Sequence, residues 1–235
     1  MIKITNISPN YSKTSRKKRD IKFVVIHYTG MQSEIESINR LKNPKAKVSC
    51  HYLINRKGHI TQMVKEKNIS WHAGKSKWKK FVNLNKNSLG IELVNKGHRH
   101  GYQNFTNAQI RSLLILCKSF KKKYKIKNEN FLGHSDIAPL RKQDPGEKFS
   151  WKKLSEHGIG KWFRKNTKIE KLNMKKKENI FFKNLKKIGY RYFSISIRKK
   201  TDKQIVKCFQ RHYLPKYITG KIDKKTLKIS QLLAN

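Results

Sequence analysis

The chain of 235 residues holds nine histidines and 14 acidic residues, and position selects among them. His27 closes the β-branched and aromatic run Ile21 to Tyr28. His134 follows the apolar entry Phe131-Leu132-Gly133, and Asp144 sits in Lys142-Gln143-Asp144-Pro145-Gly146. All three stand at the ends of elements, where functional groups concentrate. Two imidazoles and one carboxylate are a sufficient protein shell for a catalytic zinc, which keeps a fourth position for water, while structural zinc usually takes closely paired cysteines. Cys50, Cys117 and Cys208 form no such close pairs, and their odd number, wide spacing and apolar surroundings suit small buried thiols better than a disulfide framework. Because 107 residues separate His27 from His134, spacing alone leaves ordinary core or surface histidines as an alternative.

Glu92 is a second anomaly. In Ser88-Leu89-Gly90-Ile91-Glu92-Leu93-Val94, strand alternation puts Leu89, Ile91 and Leu93 on one face and Gly90, Glu92 and Val94 on the other. A carboxylate buried there is costly unless paired or functional. Desolvation would raise its pKa towards the range of a general base. The alternative is a half-exposed edge strand with Glu92 in solvent.

The elements that position these groups follow from periodicity. Ile21 to Tyr28 reads as a buried strand ended by Thr29-Gly30. Ser33-x-x-Glu36 is a capping box for a helix with Ile35, Ile38 and Leu41 on its apolar stripe, stopped at Asn43-Pro44. Val48 to Asn55 and His59 to Val64 flank Arg56-Lys57-Gly58 as a hairpin, and Ser88 to Asn95 reads as a further strand. Thr106-x-x-Gln109 opens a helix to about Lys123 that buries Ile110, Leu113, Leu114 and Cys117. This mixture predicts a sheet covered by helices, persisting to about Phe163. Arg164 to Lys177 reads as a basic linker. Ile180 to Ile188, the stretch opened by Thr201-x-x-Gln204, and Asp223 to Leu233 then predict three short helices.

Charge is the loudest compositional feature: 46 Lys and 11 Arg against 14 acidic residues, a net +43. A polyanionic partner such as nucleic acid would explain it. Base readout and bidentate phosphate contacts favour Arg over Lys, however, and the excess is spread along the chain together with 19 Asn and abundant Ile. Compositional drift is therefore the stronger explanation. With 36% hydrophobic residues the chain can bury a core. Its longest apolar runs, Phe23 to Ile26 and Leu113 to Cys117, fall far short of the ~18 residues of a membrane span. The basic stretch from Lys13 to Arg19 has no apolar stretch of ~7–15 residues beside it, so no secretory signal is expected as written.

Six motifs in order are specific enough to resemble a known family. They are Ile26-His27-Tyr28-Thr29, Val48-Ser49-Cys50-His51-Tyr52-Leu53-Ile54, Trp71-His72-Ala73-Gly74, Ser88-Leu89-Gly90-Ile91-Glu92, Gly133-His134-Ser135-Asp136-Ile137-Ala138-Pro139 and Arg141-Lys142-Gln143-Asp144-Pro145-Gly146. Over roughly residues 20 to 163 the chain resembles the zinc N-acetylmuramoyl-L-alanine amidases of the AmpD/AmiD type. Leu185 to Tyr190, Val206 to His212 and Gly220 to Leu233 resemble the three-helix peptidoglycan-binding module of the AmiD branch. The resemblance implies an α/β fold, a mixed central sheet flanked by helices, with a small C-terminal three-helix domain. Its implied boundaries are 1–163 for the amidase domain, 164–177 for the linker and 178–235 for the helical domain.

The same resemblance makes His27, His134 and Asp144 the ligands of one zinc, Glu92 the catalytic carboxylate and Lys142 the cation beside the developing oxyanion. Lys142 and Asp144 are two apart, so in an extended loop both point the same way. His51, Trp71, His72 and Asn95 are candidate substrate contacts, with packing as the alternative for the two histidines and for Trp71. Trp78 is divided between groove and core, and Tyr28 is a groove candidate on position alone. His59, His98, His100, His157 and His212 are assigned surface or core roles. The implied substrate is peptidoglycan or muropeptides, with ordinary or 1,6-anhydro muramyl groups. The implied place is the cell envelope, with the cytoplasm as the alternative because the chain begins Met-Ile-Lys-Ile-Thr without signal or lipobox cysteine. Two other readings compete: a catalytically silent peptidoglycan-recognition protein, against which the intact site set argues, and a nucleic-acid-binding protein motivated only by charge. If the tail is a tethered module, a chain ending near Phe163 should keep its activity on small substrates.

Overall fold

A computed structural model describes residues 2–3, 8–164 and 172–235, with the backbone alone at 2–3. Among the described residues, six strands make one mixed sheet: β1 (Ile2–Lys3), β2 (Phe23–Tyr28), β3 (Tyr52–Ile54), β4 (Ile60–Gln62), β5 (Ser88–Leu93) and β6 (Phe131–Gly133), in spatial order β1-β4-β3-β5-β2-β6. The β3–β4 hairpin is antiparallel, and every other pairing is parallel. β2 is buried along its length because parallel sheets are covered on both faces, which is why it reads as a continuous apolar run. β5 lies between β3 and β2, so it is a central strand. The edge-strand alternative for Glu92 is thereby removed.

One sheet face carries Val24, Ile26, Leu89, Ile91 and Leu93, and it packs against the helix opened by Thr106 through Ile110, Leu113, Leu114 and Cys117, as the periodicity predicts. Helix α1 (Glu34–Lys42) is capped by Ser33, whose Oγ accepts from the Glu36 amide at 3.1 Å; Glu36 accepts from Gln32 rather than Ser33, and Ile35 faces solvent instead of the core. Helix α2 (Asn107–Tyr124) has the full reciprocal box, with Thr106 Oγ1 accepting from Gln109 N at 3.1 Å and Gln109 Oε1 from Thr106 N at 3.2 Å. Two short helices follow, α3 (His134–Ile137) and α4 (Trp151–Glu156). All three cysteines are free and buried.

The tail forms α5 (Lys177–Ile188), α6 (Asp202–Tyr213) and α7 (Lys224–Ala234). Asp223 caps α7 by accepting from Thr226 N at 2.7 Å, whereas Thr201 makes no cap on α6; there Asp202 accepts from Lys199 N at 3.0 Å. Half of the linker expected over 164–177, namely 165–171, lies outside the described residues, and α5 already begins at its last residue. No described helix is long and apolar enough to cross a membrane.

The tail does not stand apart from the sheet. Phe23 and Val25 of β2, with Trp78, Leu132 and Ile137, share one apolar cluster with Phe181, Leu185, Tyr190, Ile205 and Phe209 of the tail. Trp78 and Tyr190 meet edge to face at 4.9 Å, which puts Trp78 in the core and not on a groove. Fully burying one large apolar side chain is worth about 1.5–3 kcal/mol, so uncovering several would consume much of the roughly 5–15 kcal/mol that holds a typical domain together. That shared core weighs against the expectation that a chain ending near Phe163 keeps its activity. Calorimetry should show one cooperative transition for the whole chain and none of comparable sharpness for a chain cut after Phe163; two separate transitions in the whole chain would mean that the shared core does not couple the parts.

Candidate metal centre and active-site cleft

The carboxyl ends of the parallel strands converge at one edge of the sheet, where clefts form in such folds. His27 is the next-to-last residue of β2, and Glu92 lies beside it in register on β5. His134 follows β6 immediately. The Ser135 amide donates to the Asp144 carbonyl at 2.9 Å, which folds the following loop back and brings the Asp144 side chain beneath both imidazoles. His27 Nδ1 and His134 Nδ1 are 2.9 Å apart, and each is 3.0 Å from Asp144 Oδ2. Among the described residues this trio is the group of His, Cys, Asp or Glu side chains close enough to share an ion.

The surrounding hydrogen bonds decide where the protons lie. Ser88 Oγ donates to the Leu84 carbonyl at 2.6 Å, so it accepts from His72 Nε2 at 3.1 Å. His72 Nδ1 is then a lone pair, and His27 Nε2–H donates to it at 3.0 Å. The Ala73 carbonyl, also held by Arg141, accepts from His134 Nε2–H at 3.1 Å. Both Nδ1 atoms consequently present lone pairs to an ionised carboxylate. No proton is available to bridge three acceptors, and the arrangement fits a divalent cation, with the outer nitrogens fixing the ring tautomers as metal-bound histidines require.

Electrostatics agree with that proton count. Burial, then the neighbouring His134, pulls His27 down to about 4 against the opposing pull of Asp144. Burial by itself would raise Asp144, but His134 and His27 hold it far below the carboxylate range. Glu92 moves the other way: burial and the charge of Asp144 push it well above its ordinary value, and Lys142 only partly opposes them. The Glu92 side chain keeps some surface towards the cleft, yet its Oε2 is buried and has no hydrogen-bond partner among the described residues. A carboxylate so placed is ready to take a proton.

The cleft over these groups has a volume of about 370 Å³. Trp71 and His72 line it as expected, as do Tyr28 and Lys142, and basic groups Arg40, Arg99 and Arg141 stand around it. Two expected contacts are corrected. His51 is fully buried behind the sheet, with Nδ1 accepting from Gly90 N at 2.9 Å and Nε2 2.8 Å from Arg16 Nη2, and it does not reach the cleft. Asn95 spends its amide on Gln103 O at 2.9 Å and Gly97 N at 3.0 Å, organising its own loop. Beside Arg40, Arg99 and Arg141, a further wall residue that the sequence does not single out is His98, whose Nδ1 accepts from Tyr28 OH at 2.8 Å and whose Nε2 lies 3.2 Å from Glu147. Nothing in the run Gly97-His98-Arg99-His100 distinguishes it from a surface loop. Arg141 stood in a quoted motif, but its hold on Ala73 depends on a partner 68 residues away.

A family model described as N-acetylmuramoyl-L-alanine amidase matches residues 17–147. AmiD of Escherichia coli K12 is 33% identical over 237 aligned residues, covering 91% of this chain and 82% of AmiD. The chain belongs to the N-acetylmuramoyl-L-alanine amidase family. AmpD of Haemophilus influenzae is 35% identical, over 62% of this amidase and 86% of AmpD. Among solved structures, E. coli AmiD with the substrate anhydro-N-acetylmuramic acid-L-Ala-D-γ-Glu-L-Lys superposes with a TM-score of 0.78 at 31% identity, covering 94% of this amidase and 91% of AmiD. AmpDh3 of Pseudomonas aeruginosa, in complex with an anhydromuramic pentapeptide, gives 0.81 at 28% identity over 98% and 97%.

Gly90 shows how closely the amidase packs this region. A Cβ there would stand 2.4 Å from His72 Cγ, so no side chain fits without moving the ring that supports His27. Overpacking a tight interior costs about 1–3 kcal/mol. Gly90→Ala should lower stability by that amount in urea unfolding, and an unchanged midpoint would show that the His72 ring can yield.

Proposed function

We propose that the cleft hydrolyses the amide between N-acetylmuramic acid, or its 1,6-anhydro form, and the L-alanine of the stem peptide, with one zinc held by His27, His134 and Asp144. The observation that carries this reading is the convergence of three proton-free donor atoms beside a carboxylate whose pKa is raised. Zinc in that position supplies a Lewis acid that polarises the amide carbonyl and eases ionisation of water near neutral pH.

The remaining steps belong to the protein. Glu92 accepts the proton of the attacking water and returns it to the nitrogen of the departing alanine, so one carboxylate serves as base and then acid. Lys142, on the cleft wall two residues from Asp144, brings an ammonium to the negative charge that develops on the carbonyl oxygen. His72 and the Ala73 carbonyl hold the two imidazoles in one tautomer. Arg40, Arg99 and Arg141 suit the carboxylates of a stem peptide. The muropeptides bound in the AmiD and AmpDh3 structures support the same substrate class. A silent recognition protein would have no use for a Glu92 poised to take a proton, and nucleic acid explains only the charge.

The tail is proposed to hold the wall polymer. A groove of about 590 Å³, lined by Phe163, Tyr217, Lys225 and Lys228 among others, offers aromatic faces beside cations. The cell envelope is the proposed compartment, supported by the match to AmiD that runs through the tail, and fractionation of the native host tests it.

His134→Ala should lose zinc and activity together, because three ligands leave no redundancy; stoichiometric zinc in that variant, by plasma mass spectrometry, would sink the ligand assignment. Glu92→Gln should retain zinc while kcat on a defined muropeptide drops by about 10²–10⁴. Loss of metal in that variant would make Glu92 structural. Binding to intact sacculi, followed by co-sedimentation, should weaken from low to high salt as surface lysines are screened, while turnover of a small soluble muropeptide changes little.

A further inference from the structure

We propose that Tyr190 and His212, both from the helical tail, are positioning residues for the ligands of the metal centre. The proposal rests on the zinc reading above and goes beyond it by giving the tail a part in building the site. Its pivot is Asp136, a carboxylate only 1% exposed at the junction of sheet and tail. Asp136 Oδ2 accepts from the Gly133 amide at 2.7 Å and so closes the turn that begins at the end of β6. The other donors come from the tail: Tyr190 OH to Oδ1 at 2.6 Å, and His212 Nδ1 at 2.9 Å from Oδ2 and 3.1 Å from Oδ1.

That turn carries the site. His134 is the first residue of α3, one after Gly133, and Ser135 in the same turn holds the Asp144 backbone at 2.9 Å. Two of the three proposed ligands thus depend on a turn whose closing carboxylate takes its side-chain donors from α6 and from the segment after α5. Without them a buried charge would keep a single backbone donor, a state that proteins avoid by moving the group or admitting water. Either response shifts His134.

Both donors are held for this purpose. The His212 ring is stacked between Trp151, at 4.3 Å and 10°, and Tyr213, at 4.1 Å and 24°. Among the described residues its buried Nε2 has no partner, so the bond its imidazole makes there is the one to Asp136. Tyr190 is fully buried against Trp78 and Phe209, and among the described residues its hydroxyl reaches Asp136 alone. Partners that orient metal-bound histidines are typically worth 10–100-fold in metal affinity. A partner one step further out should sit near the low end, about tenfold.

The test uses the full chain with Tyr190→Phe and His212→Phe, which keep the ring that packs or stacks and delete the donor. Zinc affinity is read by competition with a chromogenic chelator, and amide exchange at Ser135 is read in the metal-free protein. Ser230→Ala serves as the control, because it removes the Asn184–Ser230 bond at 3.1 Å inside the tail without touching Asp136. Each donor variant should bind zinc roughly tenfold more weakly and exchange Ser135 faster, while the control lowers Tm and leaves both readings alone. Wild-type affinity and exchange in the donor variants, or an equal loss in a Ser230→Ala protein of matched Tm, would overturn the proposal. Should the wild-type chain bind no zinc at all, the metal reading fails by itself, and Ser135 exchange then decides the positioning: faster exchange upholds it and unchanged exchange refutes it.

Discussion

Three acceptor atoms within 3.0 Å of one another repel, and a fold that holds them there must supply the force from elsewhere. Most of the structure around the sheet edge can be read as that supply. The His27 ring is fixed through His72 to Ser88 and Leu84, and the His134 ring through Ala73 and Arg141. Asp144 is tied by its backbone to the turn that carries His134. Each chain of bonds ends on a backbone carbonyl or amide of a rigid element, so the lone pairs cannot relax apart by rotating. A divalent cation between them would convert the repulsion into attraction, and the preorganised trio fits such an ion.

The same constraint gives Glu92 its character. It shares a strand register with His27, so it cannot leave the metal edge, and Asp144 makes its ionisation more expensive than burial already does. Two carboxylates with opposite shifts stand side by side, Asp144 held ionised and Glu92 held ready for a proton. Environments that drive neighbouring titratable groups apart in this way divide the ligand from the base.

Basic residues separate by type as well as by place. Several of the 11 arginines occupy fixed positions. Buried Arg16 donates to the carbonyls of Glu66, Asn85 and Ser88, Arg141 grips Ala73 and Lys75, and Arg211 pairs with Glu147. A planar, multidentate guanidinium suits such positions, and a lysine would not. Most of the lysines are exposed, where they add a diffuse positive field without shaping the site. The charge that dominates the composition is therefore mostly a diffuse surface property, while these arginines are placed one by one by their partners.

Local signals carried much of the reading. The apolar run ending in His27, the alternation that isolates Glu92 from Leu89 and Leu93, and the Thr106–Gln109 cap all act over a few residues, so the sequence alone shows them. The motifs around His134 and Asp144 mark the same side chains that the fold brings together with His27. Other features depend on contacts that no local pattern records. That β5 is central, that His51 and Asn95 turn away from the cleft, and that His98 lines it were decided by packing. The tail shows the limit most clearly. Its three helices were legible from their own periodicity, but an amphipathic stripe does not say which surface it will cover. Only the tertiary structure placed Tyr190 and His212 on Asp136, across separations of 54 and 76 residues, because the partner of a buried polar group is chosen by the whole fold.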